Sequence, residues 1–110
     1  MSRGRAIMLK RGPTMTTLRI EHPIHEFAVW KQTFDRDPIG RERSGVRRYQ
    51  VLRPLDDPKY VMIDLEFDNT QAAEAALAAL RELWRSPAAA PALGGTPQTR
   101  IVEVVEQKEY

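Results

Sequence analysis

Two alternating stretches joined by a turn constrain the fold of this chain more than any other feature. The stretch YVMIDLEF, residues 60–67, places one apolar set on one side of an extended chain: Val61, Ile63, Leu65 and Phe67. Residues 46–53, VRRYQVLR, alternate in the same way, and the connection PLDDPK is rich in proline and aspartate, which favour turns. A period of two indicates half-buried strands. The sequence therefore predicts a β-hairpin with one buried face.

An amphipathic helix and a further strand are predicted on each side of this hairpin. Residues 17–22, TLRIEH, alternate as a strand that Pro23 should end, since proline has no N–H for the ladder. Two later segments repeat at helical spacing: Phe27, Trp30 and Phe34 in the first, and Ala73, Ala76, Leu77, Leu80, Leu83 and Trp84 in the second. Residues 99–107, TRIVEVVEQ, form the last alternating stretch.

The resulting order, β-α-β-β-α-β, is that of a ferredoxin-like fold. We therefore expect an α+β domain over residues 15–110, with an antiparallel four-stranded sheet and both helices on one face. Tyr60 and Met62, with parts of the first and last strands, remain on the open face, which we expect to be too apolar to stay in water. The predicted remedy is a homodimer in which two sheets stack about a two-fold axis, a dimeric α/β barrel.

The distribution of charge and the absence of cysteine limit the classes of partner and the cellular compartment that the sequence predicts. Residues 1–14 hold four basic residues and no acidic one, whereas residues 15–110 carry 13 basic and 15 acidic residues. The basic character therefore belongs to a predicted disordered tail, residues 1–14, and no nucleic-acid partner is expected. No apolar stretch approaches the roughly 20 residues of a membrane span. The absence of cysteine excludes disulfides and thiolate chemistry and fits a cytoplasmic protein.

From about residue 15 to residue 106 the chain resembles the dimeric α/β-barrel superfamily, and within it the small actinobacterial-type proteins related to antibiotic-biosynthesis monooxygenases. The resemblance rests on HPIHEFAVWKQTFD after the first strand, DDP before the third, LEFD at its end, and SP after the second helix. It implies a pocket between the sheet and the helices of each subunit, and it carries over no reaction.

No cofactor is expected, because the chain departs from the pattern of the haem-binding members of this superfamily. Trp84 can stand for the helix tryptophan of the oxygenase branches, but no histidine follows it in the chain to ligate haem. Those branches use an asparagine on the first strand, where this sequence has Glu21 or His22.

Five residues are the candidates for a site. His22 is either a half-buried strand-end residue or a pocket residue, and in a pocket a histidine suits proton transfer as the catalytic base. The predicted ligand-binding residues are Trp30, Tyr49, Asp64 and Trp84. The alternatives are a core position for Trp30 and an ion pair with arginine for Asp64. No metal site is predicted, because Pro23 between the two histidines prevents their pairing on one helix.

The arginine-rich middle of the chain, residues 41–53, leaves two further interpretations open. It is either a solvated face or a site for a ligand that bears a carboxylate or a phosphate.

Three functions are consistent with these observations. The first is a homodimer of unassigned role with a pocket between sheet and helices for a small molecule such as an aromatic ligand. The second is a cofactor-independent monooxygenase or a cyclase/isomerase acting on an aromatic or polyketide-like substrate. The third is a non-catalytic structural or regulatory dimer. A filled core around the two tryptophans favours the third, whereas a cavity of roughly a few hundred Å³ with His22 in its wall favours the enzyme.

Overall fold

The computed structural model describes residues 15–110, and the predicted tail, residues 1–14, lies outside the described residues. In chain order the elements are β1 (Thr16–Pro23), α1 (Phe27–Asp35), β2 (Val46–Leu52), β3 (Tyr60–Phe67), α2 (Thr70–Trp84), a 3-10 helix (Pro87–Ala92) and β4 (Gln98–Glu103). The strands form one sheet in the order β2-β3-β1-β4, and every neighbouring pair is antiparallel. This confirms the predicted ferredoxin-like fold. Within residues 15–110, no helix has both the length and the apolar character needed to cross a membrane.

One face of the sheet packs against the helices. Across the two central strands, Leu18 lies opposite Leu65 and Ile20 lies opposite Ile63, and all four are buried. The helices contribute a second buried set: Trp30 from α1, and Ala73, Ala76 and Leu77 from α2. The short alanine side chains let α2 approach the sheet closely. The core is therefore a single layer between the sheet and its helices.

β1 runs one residue further than the sequence predicts. Pro23 does end the strand, but it is itself the last residue to pair, opposite Tyr60, and the Ile24 N–H donates to the Lys59 carbonyl oxygen at 2.8 Å. Successive amides of a strand point to opposite edges, so the N–H that proline lacks would face the β4 side. The pairing of β1 with β4 stops before Pro23, and no ladder hydrogen bond is lost.

The connection from α1 to β2, residues 36–45, is a series of tight turns. The helix ends at Asp35, in agreement with the Asp-Pro pair that follows it at positions 37 and 38. Three residues of the connection have positive φ: Asp37 at 54°, Gly40 at 66° and Gly45 at 98°. These left-handed conformations reverse the chain and bring Ile39 against the core.

The open face of the sheet carries the apolar residues expected there, Tyr60 and Met62, with Leu52 and Val102, together with charged residues. In the register of the four strands it carries three cations and three anions: Arg19, Arg48 and Arg100, with Glu21, Asp64 and Glu66. Arg19 donates twice to Asp64, each time at 2.8 Å, and Arg48 donates to Glu66 at 3.0 and 3.2 Å. Both ion pairs join neighbouring strands, as the alternative prediction of an arginine ion pair for Asp64 requires.

Candidate ligand-binding site

A cavity of about 80 Å³ lies between the sheet, α1, α2 and the 3-10 helix. Its walls are mostly apolar: Ile20, Trp30, Phe34, Pro38, Ile39, Ile63, Leu65, Leu80, Leu83, Trp84, Ala89, Ala92 and Leu93. Three polar residues also line it: His22, Thr33 and Arg41. The cavity lies where a pocket is expected, but it is smaller than the expected size.

The cavity exists because short side chains form one of its walls. The 3-10 helix packs against both α1 and α2, and it turns the buried Ala89 and Ala92 toward the core. Their methyl groups line the cavity together with Trp30 of α1 and Leu80 of α2. A larger side chain on this wall would close the cavity.

His22 brings an imidazole ring to this cavity from the end of β1. The residue is 3% exposed, and its Nδ1 lies 2.8 Å from the carbonyl oxygen of Pro23. A carbonyl only accepts hydrogen bonds, so in the neutral ring Nδ1 carries the proton and Nε2 keeps a free lone pair. Burial lowers the pKa of His22, and the hydrogen bond to Pro23 opposes this shift only in part. The ring is therefore neutral at pH 7, with an available acceptor and base at Nε2.

The Pro23 carbonyl that orients His22 is itself held by the loop after the 3-10 helix. The Gly94 N–H donates to it at 2.9 Å. A Cβ at position 94 would lie 2.9 Å from the backbone carbon of Ile24, which is closer than real Cβ atoms approach. Glycine at 94 thus permits the contact that fixes the carbonyl and, through it, the imidazole.

Arg41 brings a positive charge to the cavity wall from the α1–β2 connection. Its guanidinium carbon lies 4.0 Å from the centroid of the Phe34 ring and 5.0 Å from that of Tyr49, within the range of cation–π attraction. Its Nη1 donates to the Phe34 carbonyl oxygen at 2.8 Å. The side chain is only 16% exposed, although arginine is seldom buried. The apolar cavity therefore contains one fixed cation and one neutral base.

Aromatic rings pack in a row beside the cavity. The Trp30 ring stacks on Phe34 with centroids 4.9 Å apart and planes 24° apart, and it contacts Phe27 at 5.6 Å. The edge of Phe34 meets Tyr49 at 5.1 Å. Trp30 is thus both a core residue and a flat apolar wall of the cavity.

Trp84 and Leu93 line both this cavity and a larger open groove. The groove has a volume of about 890 Å³ and lies between the end of α2 and the loop that precedes β4. Arg81 and Arg85 lie along it. The two spaces therefore share these two side chains as part of their walls.

Of the five predicted site residues, His22, Trp30 and Trp84 line the cavity. Tyr49, on β2, does not line the cavity, but its ring contacts two residues that do, Phe34 and Arg41. The structure therefore brings together three of the predicted residues and places the fourth in contact with the wall.

Asp64 lies on the open face of the sheet, away from the cavity. It accepts both hydrogen bonds from Arg19, and this contact raises the pKa of the arginine. The arginine ion pair that the sequence offers as the alternative for Asp64 is present. That Asp64 binds a ligand stays a prediction, and it concerns the open face of the sheet and not the cavity. Among the described residues, no three His, Asp or Glu side chains cluster closely enough to hold a metal ion.

Sequence reasoning does not single out Arg41, Thr33 or the alanines of the 3-10 helix as cavity residues. A signal for Arg41 exists in the sequence: an Asp-Pro pair and Gly40 precede it, and Gly45 follows it. Such residues predict a chain that folds back on itself, which is how the connection returns Arg41 to α1.

Because burial holds the pKa of His22 below its ordinary value of about 6.5, its protonation is linked to unfolding. The unfolded chain protonates His22 at a higher pH than the folded chain does. The stability that the neutral ring contributes is therefore complete above about pH 6.5 and is lost as the pH falls through the folded pKa.

We predict that the free energy of unfolding by urea falls between about pH 7.5 and 5.5, and falls less in His22→Gln. An NMR titration midpoint for His22 above its ordinary value would contradict this.

Comparison with protein-family models and with curated protein sequences finds no match. Solved structures do match. SnoaB, a cofactor-independent oxygenase from Streptomyces nogalater, is 17% identical with a TM-score of 0.61, over 88% of this chain and 97% of that one. A monooxygenase from the gene ActVA-Orf6 of Streptomyces coelicolor, in complex with nanaomycin D, is 15% identical with a TM-score of 0.62, over 88% and 93% of the two chains.

A dimeric ferredoxin-like protein from an uncultured marine organism is 12% identical with a TM-score of 0.62, over 87% of this chain and all of that one. At such identities the likeness concerns the fold. It confirms the resemblance inferred from the sequence: this chain has the fold of dimeric ferredoxin-like proteins and of proteins related to antibiotic-biosynthesis monooxygenases.

Proposed function

We propose that this chain is a small-molecule-binding protein whose cavity takes a planar aromatic ligand that bears a hydroxyl group. One observation carries the proposal: His22 is 3% exposed, yet within residues 15–110 nothing donates a hydrogen bond to its Nε2. A buried acceptor without a donor is destabilising, and a ligand hydroxyl would provide the donor. The apolar walls favour the burial of an aromatic ring.

The size of the cavity limits how much of a ligand it can hold. A volume of about 80 Å³ is well below the roughly 300–1,000 Å³ of pockets that enclose drug-sized molecules. Trp84, which lines the cavity, also lines the groove of about 890 Å³. We therefore propose that one ring of the ligand occupies the cavity and that larger ligands extend past Trp84 into the groove.

Filling the cavity should abolish binding. We predict that the wild-type protein binds 2-naphthol and that Ala92→Leu does not, because an isobutyl group replaces a methyl group in the cavity wall. Isothermal titration calorimetry measures the binding, and circular dichroism checks that each variant is folded. Ala88→Leu is the matched control, since Ala88 belongs to the same 3-10 helix but is exposed. Equal binding by the two variants would contradict the proposal.

A second candidate function is that of a cofactor-independent oxygenase, or of a cyclase/isomerase, acting on an aromatic or polyketide-like substrate. The observation that favours it is the neutral His22 ring, whose Nε2 lone pair can take a proton from a phenol or quinol hydroxyl. The fold of SnoaB, a cofactor-independent oxygenase, supports the same assignment by analogy.

If His22 is the base of such a reaction, the protein should consume O₂ when it is mixed with a member of a panel of hydroquinols and naphthols. We predict that His22→Gln lowers this rate by about 100-fold or more, the usual contribution of a general base. His25→Gln is the control, because His25 is exposed and does not line the cavity. Binding without any O₂ uptake across the panel would exclude the oxygenase and leave the binding function.

We further propose that the chain forms a homodimer through the open face of the sheet. The face carries equal numbers of cations and anions, so two copies can meet without net repulsion. Leu52 and Val102, 38% and 40% exposed, add apolar contact area. The similar marine protein is a dimeric ferredoxin-like protein, which supports this assembly by analogy.

An extra charge at the centre of this face should prevent the association. Met62 lies on the open side of the central strand β3, and we predict that Met62→Lys is a monomer in sedimentation velocity whereas the wild type is a dimer. Leu55→Lys is the matched control, because Leu55 lies in the β2–β3 turn and is 106% exposed. A monomeric wild type would contradict the proposed dimer.

A further inference from the structure

We infer that the cavity selects aromatic ligands carrying an anionic oxygen, and that Arg41 is the residue that recognises this charge. The inference deepens the proposed binding function and depends on it. It assigns a ligand class, aromatic carboxylates and ionised phenols, that an apolar cavity with a neutral histidine would not by itself prefer.

The first observation is that the hydrogen-bonding capacity of Arg41 is largely unused. A guanidinium has five N–H donors. One of them, on Nη1, donates to the Phe34 carbonyl oxygen at 2.8 Å. The Nε atom lies 3.6 Å from Oδ1 of Asp37, which is too far for a hydrogen bond. Four of the five donors thus have no acceptor within the part of the chain that the structure describes, although the side chain is only 16% exposed.

The second observation is that the charge is held in place. The guanidinium carbon lies 4.0 Å from the centroid of the Phe34 ring and 5.0 Å from that of the Tyr49 ring, so it contacts both. The backbone N–H of Arg41 donates to Asp37 Oδ1 at 2.8 Å, which fixes the turn that carries the side chain. Such a preorganised cation pays little conformational entropy when it binds an anion.

The third observation concerns the surroundings of this charge. Asp37 is the only carboxylate that the described residues place in an ion pair with Arg41, and that carboxylate is 37% exposed to solvent. Most of the other cavity-lining groups are apolar. In such surroundings an ion pair with a ligand is stronger than on a solvated surface.

Together with His22, Arg41 gives the cavity two polar contacts of different kinds. Nε2 of His22 accepts a hydrogen bond from a neutral hydroxyl, whereas Arg41 donates to an anionic oxygen. A planar ring with a hydroxyl and a carboxylate on separate carbons fits both requirements. Trp30 and Phe34, which stack on each other, give the cavity an aromatic wall against which such a ring can pack.

A pair of probes of nearly the same shape, 4-hydroxybenzoate and 4-hydroxybenzamide, tests the inference. They differ in charge at one end and share the hydroxyl at the other. We predict that the wild type binds the benzoate about tenfold or more tightly than the benzamide, as charge-assisted hydrogen bonds require. In Arg41→Gln the ratio should fall to about one. Dissociation constants are measured by NMR titration of the ¹⁵N-labelled protein.

The matched control is Arg53→Gln. The Arg53 guanidinium lies 4.7 Å from the centroid of the Phe27 ring, a cation–π contact of the same kind, but Arg53 does not line the cavity. The benzoate preference should survive in this variant. Arg41→Lys keeps the charge without the forked donors and should retain part of the preference.

The outcomes separate this inference from the function on which it rests. If the wild type binds 2-naphthol but neither probe, the inference is wrong and the binding function stands; if it binds none of the three, both are wrong. If both probes bind equally well, the cavity binds aromatic molecules and Arg41 does not select charge. If Arg41→Gln weakens both probes by the same factor, Arg41 only supports the cavity wall, and the inference is wrong.

Discussion

The alternation of apolar and charged side chains along β1 and β3 is the constraint on which the whole structure depends. It sends Leu18, Ile20, Ile63 and Leu65 to one side of the sheet and the ion pair of Arg19 with Asp64 to the other. Only the first side can bury apolar helices, so both helices and the 3-10 helix pack there. Every feature of the candidate site follows from this one-sided arrangement, because the cavity is the space that this layer of helices leaves unfilled.

The cavity combines a largely apolar lining with two polar side chains, those of His22 and Arg41, whose burial is energetically unfavourable. Bulky residues form most of its walls, and the short side chains of Ala89 and Ala92 form part of the rest. His22 and Arg41 also line it, and residues 15–110 provide no partner for Nε2 of His22 or for four of the five N–H donors of Arg41. A fold under selection for stability alone would replace such groups with apolar side chains. Their presence is the physical reason for regarding the cavity as a site and not as a packing defect.

Much of the fold is predictable from the sequence, because strand alternation, helical spacing and the Asn69 region at the start of α2 all have local causes. Asn69 accepts the Ala72 N–H at 2.8 Å, as a helix cap does. The character of the open face is not local, since Arg19 meets Asp64 only after β1 pairs with β3. The same holds for Arg41, whose place in the cavity depends on a chain reversal. His22, Trp30 and Trp84 were predictable because they lie at the ends or on the buried sides of regular elements.

The measurement that tests the account most directly is the ¹⁵N chemical shift of the two ring nitrogens of His22, before and after saturation with 2-naphthol. In the free protein, Nδ1 should carry the proton and Nε2 should show the shift of an unprotonated nitrogen. On binding, the Nε2 signal should move in the direction of a nitrogen that accepts a hydrogen bond, while the Nδ1 signal stays in place. A proton on Nε2 in the free protein, or an Nε2 signal unchanged at saturation, would contradict the account.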